Sequence, residues 1–313
     1  MTTQITTPAL IPDQSGIQNN IKTKIMFKSE SVSLTINNVP VKIHAFSTGE
    51  VSVKTKFRDR TKTGIFAQLD FIFDIKYTEW MPIWVWVIEH PEGIFVIDTG
   101  ENANINDANY FKSSGWFANW FNRTMFKFNV SSEQEIDAQL ATLGIRPEDV
   151  KALLITHLHL DHIDGLRHFP KTPIIVHQRE WEKPYGDLPK LYPDWFAPEL
   201  VALDETYDCF DQAHYLTASG DLVAIHTPGH TNEHISYLLK TDQGDILFAG
   251  DICYNQGQML NSHFAGVDVS SGKSSNTYKK IRTLAGSSNL VFLPSHDCDS
   301  GKRLVEMEFI KFQ

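Results

Sequence analysis

Four short apolar runs along the chain each end in a segment that contains histidine or aspartate. The runs cover residues 150–155, 222–225, 245–249 and 290–293. Nearly continuous apolar runs of this length predict buried strands. In folds that alternate strands and helices, functional side chains usually lie just beyond the ends of such strands. The pattern therefore predicts an α/β fold whose functional site collects the residues at these four strand ends.

Two further patterns predict strands in the first third of the chain. Residues 39–46 form a largely apolar run that ends at the turn signal 47–49 (STG). Residues 83–88 and 94–97 flank a segment with Pro and Gly, which suit a tight turn between antiparallel strands. We therefore expect a strand over 39–46 and a hairpin over 81–97.

One helix can be placed from its end signals. Ser132 and Glu135 have the spacing of an N-terminal capping box, in which each side chain bonds to the backbone of the other residue. Ile136 and Leu140 then fall on one helical face, which is the spacing of an amphipathic helix. Gly144 supplies a residue type that commonly ends helices. The helix is therefore predicted to begin after Ser132 and to end before Gly144.

The chain is expected to form a single catalytic domain over residues 31–313, preceded by a flexible or loosely packed arm over residues 1–30. The arm is polar, rich in Thr, Gln and Asn, and without hydrophobic periodicity. Segments of this composition bury little apolar surface. The whole chain has 313 residues, of which 42% are hydrophobic. A chain of this length and composition can bury a large core.

Net charge and cysteine content narrow the classes of function. The formal net charge is −10, and no basic cluster extends beyond short pairs. Nucleic acids and anionic membrane surfaces are therefore unexpected partners. The three cysteines lack CxxC spacing, which argues against a thiolate zinc site and a disulfide framework. We find no secretory signal and no apolar stretch of membrane length, so we expect a cytoplasmic protein with no membrane insertion.

The densest group of potential metal ligands is the run 157–162 (HLHLDH), directly after the first of the four strands. Imidazole and carboxylate ligands without cysteine favour zinc, and less often manganese, iron or cobalt. Alternate residues of an extended segment face opposite ways. His157 and His159 can thus serve one metal, while Asp161 and His162 serve a second one nearby. A chance scatter of histidines rarely produces this density at a strand end, so we predict a metal site.

This run resembles the HxHxDH signature of the metallo-β-lactamase superfamily. The segments 227–230 (TPGH), 250–251 (GD) and 295–296 (SH) resemble the remaining ligand positions of that family, and 98–100 (DTG) resembles its DTG turn. The motifs occur in family order and span nearly the whole chain. The resemblance implies an α/β fold built as a four-layer αββα sandwich, with the site at one edge of its two sheets.

The resemblance also implies a role for each ligand. Two metals that share a water lower its pKa and present hydroxide to an electrophile, so the family implies hydrolysis. Fold membership does not name the bond that is cleaved. The implied roles are one metal held by His157, His159 and His230, a second held by Asp161, His162 and His296, a bridge between them from Asp251, and an orienting role for Asp98.

Three features narrow the choice of hydrolase, and the first two resemble the N-acyl-homoserine lactone lactonases, the quorum-quenching branch of the superfamily. Tyr254 lies three residues after Asp251, where these lactonases carry a tyrosine over the metals. The segments 172–176 (TPIIV) and 91–93 (PEG) are also similar to that branch. Only seventeen residues of the sequence follow His296. We therefore do not expect the helical domain that the hydroxyacylglutathione hydrolases carry after this position.

The resemblance implies that a metal-bridging hydroxide opens the lactone ring of an N-acyl-homoserine lactone. Tyr254 and one metal would stabilise the oxyanion, and Asp161 would carry a proton to the alkoxide that leaves. Phosphotriesterase-like members of the superfamily share all seven ligands, and they or another ester hydrolase of the superfamily are the main alternative. A metal-binding protein without catalysis is a further alternative from a different class.

A segment rich in aromatic residues, 110–128, is the candidate for recognition of the acyl chain. Trp116 and Phe117 each have an aromatic residue four positions later, so they are predicted to line one side of a helix. Packing in the core or at a homodimer interface is one interpretation, and a wall for an acyl chain, with residues 66–71 of the preceding loop, is the other. Leu160, inside the histidine run, is predicted to point towards substrate.

Several other residues could be mistaken for ligands. His234 lies four residues after His230, but the preceding Pro and Gly make a helical metal pair improbable. We therefore interpret His234 as a residue that supports the ligands or lies at the surface. Cys253 is interpreted as a small buried residue. Structural roles are predicted for the remaining candidates, which are His168, His177 and His226.

Overall fold

The computed structural model describes residues 29–62 and 65–312, without the side chains of residues 65, 67 and 68. Most of the predicted arm over residues 1–30 therefore lies outside the described residues. Its last two residues, Ser29 and Glu30, lie in the first strand.

Among the described residues, the first sheet contains eight strands, all from the N-terminal two thirds of the chain. Their order is β1-β2-β3-β4-β6-β7-β8, and β5 pairs with the far end of β2. The connections β4–β6, β6–β7 and β7–β8 are parallel, whereas the earlier pairs are antiparallel. The strands are β1 (Ser29–Ile36), β2 (Val39–Val53), β3 (Met81–His90), β4 (Gly93–Ile97), β5 (Phe126–Asn129), β6 (Val150–Leu154), β7 (Ile174–His177) and β8 (Glu199–Val201).

The second sheet contains six strands in the order β14-β13-β12-β11-β10-β9. The last pair along the chain, β13 and β14, is parallel, and the other pairs are antiparallel. The strands are β9 (Glu205–Tyr207), β10 (Phe210–Tyr215), β11 (Leu222–His226), β12 (Ile235–Thr241), β13 (Gly244–Gly250) and β14 (Leu290–Pro294).

The α-helices lie before, between and after these strands. The longest, α8, spans seventeen residues and precedes β14. The helices are α1 (Thr55–Arg58), α2 (Ile65–Ile72), α3 (Trp116–Met125), α4 (Ile136–Thr142), α5 (Leu160–Ile163), α6 (Gln178–Glu182), α7 (Gln256–Asn261), α8 (Ser271–Ser287) and α9 (Ser300–Glu306). Within the described residues, no helix is long and apolar enough to cross a bilayer.

The two sheets pack against each other and are covered by helices on their outer faces. Between the sheets, the ring centroids of Trp86 and Phe248 lie 5.5 Å apart. The outer face of the first sheet packs against Leu140 of α4, and that of the second sheet packs against Ile281 of α8. Strand β3 is buried on both faces, which explains its continuous apolar sequence rather than an alternating one. The predicted four-layer sandwich is confirmed.

The predicted hairpin is confirmed, because β3 and β4 pair antiparallel from Trp86–Ile97 to His90–Gly93. The predicted turn at residues 47–49 is wrong. Strand β2 continues through it to Val53, with a shift in register between Ser47 and Glu50. Such a bulge lets a strand bend and continue. Here it allows the end of β2 to pair with β5.

Two helix predictions also need correction. The capping box lies one residue earlier, between Ser131 and Gln134 on a 3₁₀ turn, and α4 begins at Ile136. The carboxylate of Glu135 instead accepts a hydrogen bond from the backbone of Ala103 at 3.1 Å. Gly144 follows the helix with φ +74°, as expected of a residue that ends a helix. The segment 66–71, predicted as a loop, belongs to helix α2.

Candidate metal centre

Seven predicted ligands meet where the ends of four strands from both sheets come together. His157 and His159 directly follow β6 of the first sheet, while Asp161 and His162 lie in the short helix α5. The other three follow strands β11, β13 and β14 of the second sheet, and they are His230, Asp251 and His296. The structure therefore confirms that the four strand ends identified in the sequence converge on one site.

Three histidines form the first group of donors. His157, His159 and His230 each present a ring nitrogen, and the three nitrogens all lie within 4.8 Å of one another. Nδ1 of His159 is 2.9 Å from Nε2 of His157 and 2.9 Å from Nε2 of His230. Three imidazoles at this spacing form one face of a tetrahedral metal site.

A second group combines two histidines with a carboxylate. The ligand atoms of Asp161, His162 and His296 also lie within 4.8 Å of one another. Asp161 Oδ2 lies 3.3 Å from Nε2 of His296. The side chain of Asp161 is 20% exposed, whereas that of His162 is 1% exposed. This group therefore has one member that solvent or a substrate can reach directly.

Asp251 lies between the two groups. Its Oδ1 is 3.2 Å from Nε2 of His162, and its Oδ2 is 3.3 Å from His296 and 3.6 Å from Nε2 of His230. The preceding Gly250 has φ +60°, and a Cβ atom there would lie 2.5 Å from Nε2 of His234. Only glycine fits that turn, and it brings the Asp251 carboxylate to both groups.

The donor atoms fit divalent metal ions. Nε2 of His162 and Oδ1 of Asp251 are buried and face each other at 3.2 Å, but neither makes a well-aligned hydrogen bond to a described residue. Buried polar atoms without a partner are costly unless they bind a ligand or ion. Nitrogen and carboxylate donors without thiolates suit zinc and neighbouring transition metals. The cluster therefore has both the chemistry and the unpaired atoms of a metal site.

Asp98 lies where the sequence predicted an orienting residue. Its Oδ2 accepts a hydrogen bond from Nδ1 of His162 at 2.7 Å, and its Oδ1 accepts one from the backbone N–H of Thr156 at 2.9 Å. The His162 ring is thereby held with Nε2 pointing into the cluster. Bonds of this kind fix the tautomer and the orientation of a ligating histidine.

Sequence reasoning left two supporting residues unresolved or unnoticed. His234 is fully buried, and its Nε2 accepts a hydrogen bond from the backbone N–H of Asp251 at 3.1 Å. It therefore supports a candidate ligand, and the alternative that places His234 at the surface is wrong.

Glu180 is a supporting residue that the sequence analysis did not identify. Its carboxylate accepts hydrogen bonds from the Leu158 backbone at 3.3 Å and from the Thr231 hydroxyl at 2.8 Å. It thus joins the loops of both sheets, and burial raises its pKa to about 7.

The other histidines have the structural roles that were predicted. His168 contacts the carboxylate of Glu135 at 2.7 Å, and His177 bonds to the backbone carbonyl of Glu233 at 2.9 Å. His226 lies 3.5 Å from the carboxylate of Glu233. Cys253 is buried as expected, and burial raises the pKa of its thiol well above the usual range.

The pKa values divide the cluster into two halves. Burial lowers the pKa of His157 well below its usual value and that of His230 to about 3, so both rings are neutral. Burial alone would also lower the pKa of His296, but the carboxylates of Asp251 and Asp161 outweigh it and raise that pKa to about 10. Without metal, the half that contains the carboxylates therefore keeps protons on its histidines.

Tyr254 lies directly beside this second half. Its ring stacks on the imidazole of His296, with centroids 5.6 Å apart and an interplanar angle of 27°. The residue is 5% exposed, and its other neighbours are apolar side chains such as Met81. Burial, with the carboxylates of Asp251 and Asp161, raises the pKa of the phenol well above its usual value. The hydroxyl therefore stays protonated and is available as a hydrogen-bond donor.

The predicted substrate residues lie in two environments. Leu160 is 9% exposed and packs against a small cluster that includes Phe111. Trp116 and Phe117 are 82% and 57% exposed, so the interpretation that places them in the core is wrong. Phe117 stacks on Phe121, which packs against the hydrophobic cluster that contains Tyr254. The aromatic segment thus extends outward from the vicinity of Tyr254.

The fold and the site together define the class of protein. The chain belongs to the metallo-beta-lactamase superfamily, whose family model matches residues 78–296. The matched region contains all seven clustered candidate ligands and the aspartate of the DTG turn.

Within this superfamily, the chain is similar to N-acyl homoserine lactonases. It is 28% identical to the N-acyl homoserine lactonase AttM of Azorhizobium caulinodans over 239 residues, which cover 70% of this chain and 83% of that protein. It is 26% identical to the N-acyl homoserine lactonase AiiA of Bacillus thuringiensis subsp. kurstaki over 226 residues, which cover 71% of this chain and 84% of that protein.

Solved structures show the same fold at lower identity. An N-acyl homoserine lactone hydrolase, with the product N-hexanoyl-L-homoserine at its catalytic metal center, matches with a TM-score of 0.67 and 19% identity. That match covers 89% of this chain and 100% of the other. The dizinc quorum-quenching lactonase AidC matches with a TM-score of 0.59 and 14% identity, over 88% of this chain and 92% of AidC. At these identities the likeness shows the fold alone.

Zinc binding by metal-free protein is expected to release protons. Because the pKa of His296 is raised to about 10, this ring is protonated at neutral pH, and the raised pKa of His162 has the same consequence. A histidine must lose its proton before it binds a metal, so the apparent zinc affinity should rise between about pH 6 and pH 9. Calorimetric titration in buffers with different ionisation enthalpies measures the released protons. Equal heats in all buffers would contradict the assigned protonation states.

Proposed function

We propose that this protein is a metal-dependent lactonase that opens the ring of N-acyl-homoserine lactones. The observation that carries the proposal is the buried Tyr254 phenol, which stacks on His296 beside a cluster of seven metal ligands. The similarity to N-acyl homoserine lactonases over 70% of the chain supports the same substrate class. The aromatic segment beside Tyr254 suits the acyl chain of such a substrate.

We propose two zinc ions as the native cofactor, with manganese, iron or cobalt able to occupy the same donors. AidC, which shares the fold, is a dizinc lactonase, and this supports the proposal of two zinc ions in the present protein. When bound, the two ions would supply an activated water and polarise the carbonyl of the substrate. The proposed ligands are His157, His159 and His230 for one ion, Asp161, His162 and His296 for the other, and Asp251 for both.

Tyr254 would stabilise the charge that develops on the substrate. A lactone carbonyl oxygen gains negative charge when the ring carbon is attacked. A protonated phenol beside the ligand cluster can donate a hydrogen bond to that oxygen. Because Tyr254 is only 5% exposed, this bond competes little with bulk water.

Asp161 is the group best placed to move a proton. It is the more accessible of the two carboxylates in the cluster, with 20% of its side chain exposed against 6% for Asp251. Burial would raise its pKa, but His162 and His296 outweigh burial and lower it, so the carboxylate is ionised at neutral pH. It can therefore accept a proton during attack and return it to the alkoxide of the opened ring.

The acyl chain would lie against apolar side chains that connect Tyr254 with Leu160. Phe128 is half-buried and packs against both the cluster that contains Tyr254 and the cluster that contains Leu160. Phe121 packs against the first of these clusters and carries Phe117 on its outer side. We propose that Trp116 and Phe117 extend this apolar surface towards solvent. The ends of long acyl chains would contact these two residues.

A substrate panel tests the proposal. Zinc-loaded protein should open short- and long-chain N-acyl-homoserine lactones, as followed by mass spectrometry of the hydrolysed product. Paraoxon and a glutathione thioester, offered under the same conditions, should react much more slowly. Protein treated with a chelator is the negative control, and added zinc should restore its activity. Faster turnover of paraoxon would favour a phosphotriesterase-like function instead.

Tyr254→Phe should lower kcat with little effect on metal content. The substitution removes only the phenolic oxygen and leaves every proposed ligand in place. A bound metal would still polarise the same carbonyl oxygen, so the expected loss is about tenfold, at or below the low end for a lost oxyanion donor. Steady-state kinetics on the best lactone, with metal analysis, measure both quantities. Tyr192→Phe, at a half-buried tyrosine whose hydroxyl donates to Asp187 at 3.2 Å, is the matched control. A wild-type kcat in Tyr254→Phe would remove the phenol from the mechanism.

Phe117→Ala should raise KM more for long-chain than for short-chain lactones. Each buried methylene contributes about 0.8 kcal/mol, so the penalty should grow with acyl length. Phe117 is 57% exposed, so the fold should tolerate its loss. Trp195→Ala, at an exposed aromatic residue outside the segment 110–128, serves as the control and should change no KM. An equal change at all chain lengths would argue that Phe117 does not contact the acyl chain.

A further inference from the structure

The five histidines of the cluster differ in how their second ring nitrogen is held. In four of them, the nitrogen that faces away from the other ligands lies within hydrogen-bond distance of an oxygen of the protein. The partners are Thr156 Oγ1 for His157 at 3.0 Å, the Tyr185 carbonyl for His159 at 2.9 Å, Asp98 for His162 at 2.7 Å, and the Pro82 carbonyl for His296 at 3.0 Å.

His230 is the exception. The residue is 2% exposed, and its Nε2 faces the other ligands, 2.9 Å from Nδ1 of His159. Its Nδ1 is buried and has no hydrogen-bond partner among the described residues. A neutral imidazole that binds a metal through Nε2 carries its hydrogen on Nδ1. His230 would then hold a buried donor that needs an acceptor.

Asp268 offers that acceptor. Its Oδ1 lies 4.0 Å from Nδ1 of His230, and this oxygen is also buried without a hydrogen-bond partner in the described part of the chain. The other carboxylate oxygen, Oδ2, accepts a hydrogen bond from the Ser274 hydroxyl at 2.8 Å. One oxygen of Asp268 is thus fixed, and the other is near the histidine whose outward-facing ring nitrogen has no hydrogen-bond partner among the described residues.

The segment that contains Asp268 is hydrogen-bonded to the loop that contains His230. The backbone N–H of Val269 donates to the carbonyl of His230 at 3.4 Å, and that of Ser270 donates to the carbonyl of Gly229 at 3.2 Å. The Arg60 guanidinium donates to the carbonyl of Asp268 at 2.6 Å. Because both loops are held together by the backbone, a small side-chain movement is enough to bring the two unpaired atoms into hydrogen-bond contact.

We propose that Asp268 is a positioning residue for His230, and that its Oδ1 accepts the Nδ1 hydrogen while Nε2 binds the metal. Such a carboxylate fixes the tautomer and increases the basicity of the ligating nitrogen. The proposal rests on the proposed metal centre but is independent of the proposed lactone substrate. Asp268 would thus orient His230 in the first group of donors, as Asp98 orients His162 in the second group.

Zinc affinity of metal-free protein, measured by competition with a chromophoric chelator, tests the proposal without any substrate. Asp268→Ala should weaken one of the two zinc sites by about 10- to 100-fold and leave the other unchanged. Asp268→Asn should retain most of the affinity, because its amide oxygen can still accept the hydrogen bond. Asp268→Leu removes both oxygens while filling the volume, and it replaces the alanine variant if that variant does not fold. Unchanged affinity at both sites would overturn the proposal.

A matched control separates positioning from general destabilisation. Asp221 is likewise a buried carboxylate, with Oδ1 3.1 Å from Nε2 of His90, and neither residue belongs to the ligand cluster. Asp221→Ala should lower thermal stability and leave both zinc affinities unchanged. If Asp221→Ala weakened zinc binding as much as Asp268→Ala, the effect would reflect loss of stability, and the positioning role would be wrong.

A double-mutant cycle tests the pairing itself. In a His230→Ala background, Asp268→Ala should cause no further loss of zinc affinity, because its partner is already absent. The same fold-loss in both backgrounds would show that Asp268 acts independently of His230, which overturns the proposal. A wild-type protein that binds no zinc would overturn the proposed metal centre and this role with it. Failure of lactone hydrolysis alone would affect only the proposed substrate.

Discussion

The structure concentrates five imidazoles and two carboxylates in one buried cluster, and the balance of their charges determines the chemistry of the site. Burial favours neutral rings, which is the state of His157 and His230. The two carboxylates have the opposite effect: they raise the pKa values of His162 and His296, so these two rings keep their protons. Divalent cations can replace those protons as partners of the carboxylates, so the same groups that stabilise the metal-free cluster also favour metal binding.

The cluster depends on backbone bonds that join loops which are distant in sequence. The backbone N–H of Ile235 donates to the carbonyl of Thr156 at 3.1 Å, which connects β12 of the second sheet to the histidine run that follows the first. The N–H of Ser295 donates to the carbonyl of Gly250 at 3.0 Å. Each bond holds residues directly next to proposed ligands. The two sheets therefore position the ligands as one rigid unit, as a site with little tolerance for misplacement requires.

The ligands could be predicted from the sequence because their pattern is local. Each follows a short apolar strand, and the ends of neighbouring strands meet at one edge of a sheet. The supporting residues could not be predicted in the same way. Glu180 and Asp268 are isolated acidic residues, and only the packing of two sheets brings them to loops that lie far away in the chain. The only available signal for Glu180 was an acidic residue shortly after the segment 172–176, which resembles the lactonase branch.

The errors in the predicted fold have a similar origin. The segment 47–49 has the composition of a turn, yet the strand continues because β5 offers hydrogen-bond partners beyond the bulge. The sequence left the surroundings of α3 open between core or dimer packing and an acyl-chain pocket, and the exposure of Trp116 contradicts only the core interpretation. Aromatic residues favour burial on average, but the helix buries Met125 and leaves Trp116 at the surface. Tertiary partners, rather than the local sequence, decide such cases.

Tyr254 shows why an amphipathic side chain suits the boundary between the two parts of the site. Its ring packs with apolar residues such as Phe57 and Val53, and its other side stacks on the polar ring of His296. Phenylalanine would satisfy only the apolar contacts, and a charged donor would be costly to bury beside so many apolar groups. A phenol combines a large apolar surface with one polar atom that remains protonated near carboxylates. The position therefore permits a donor beside the ligands without adding a further charge to the cluster.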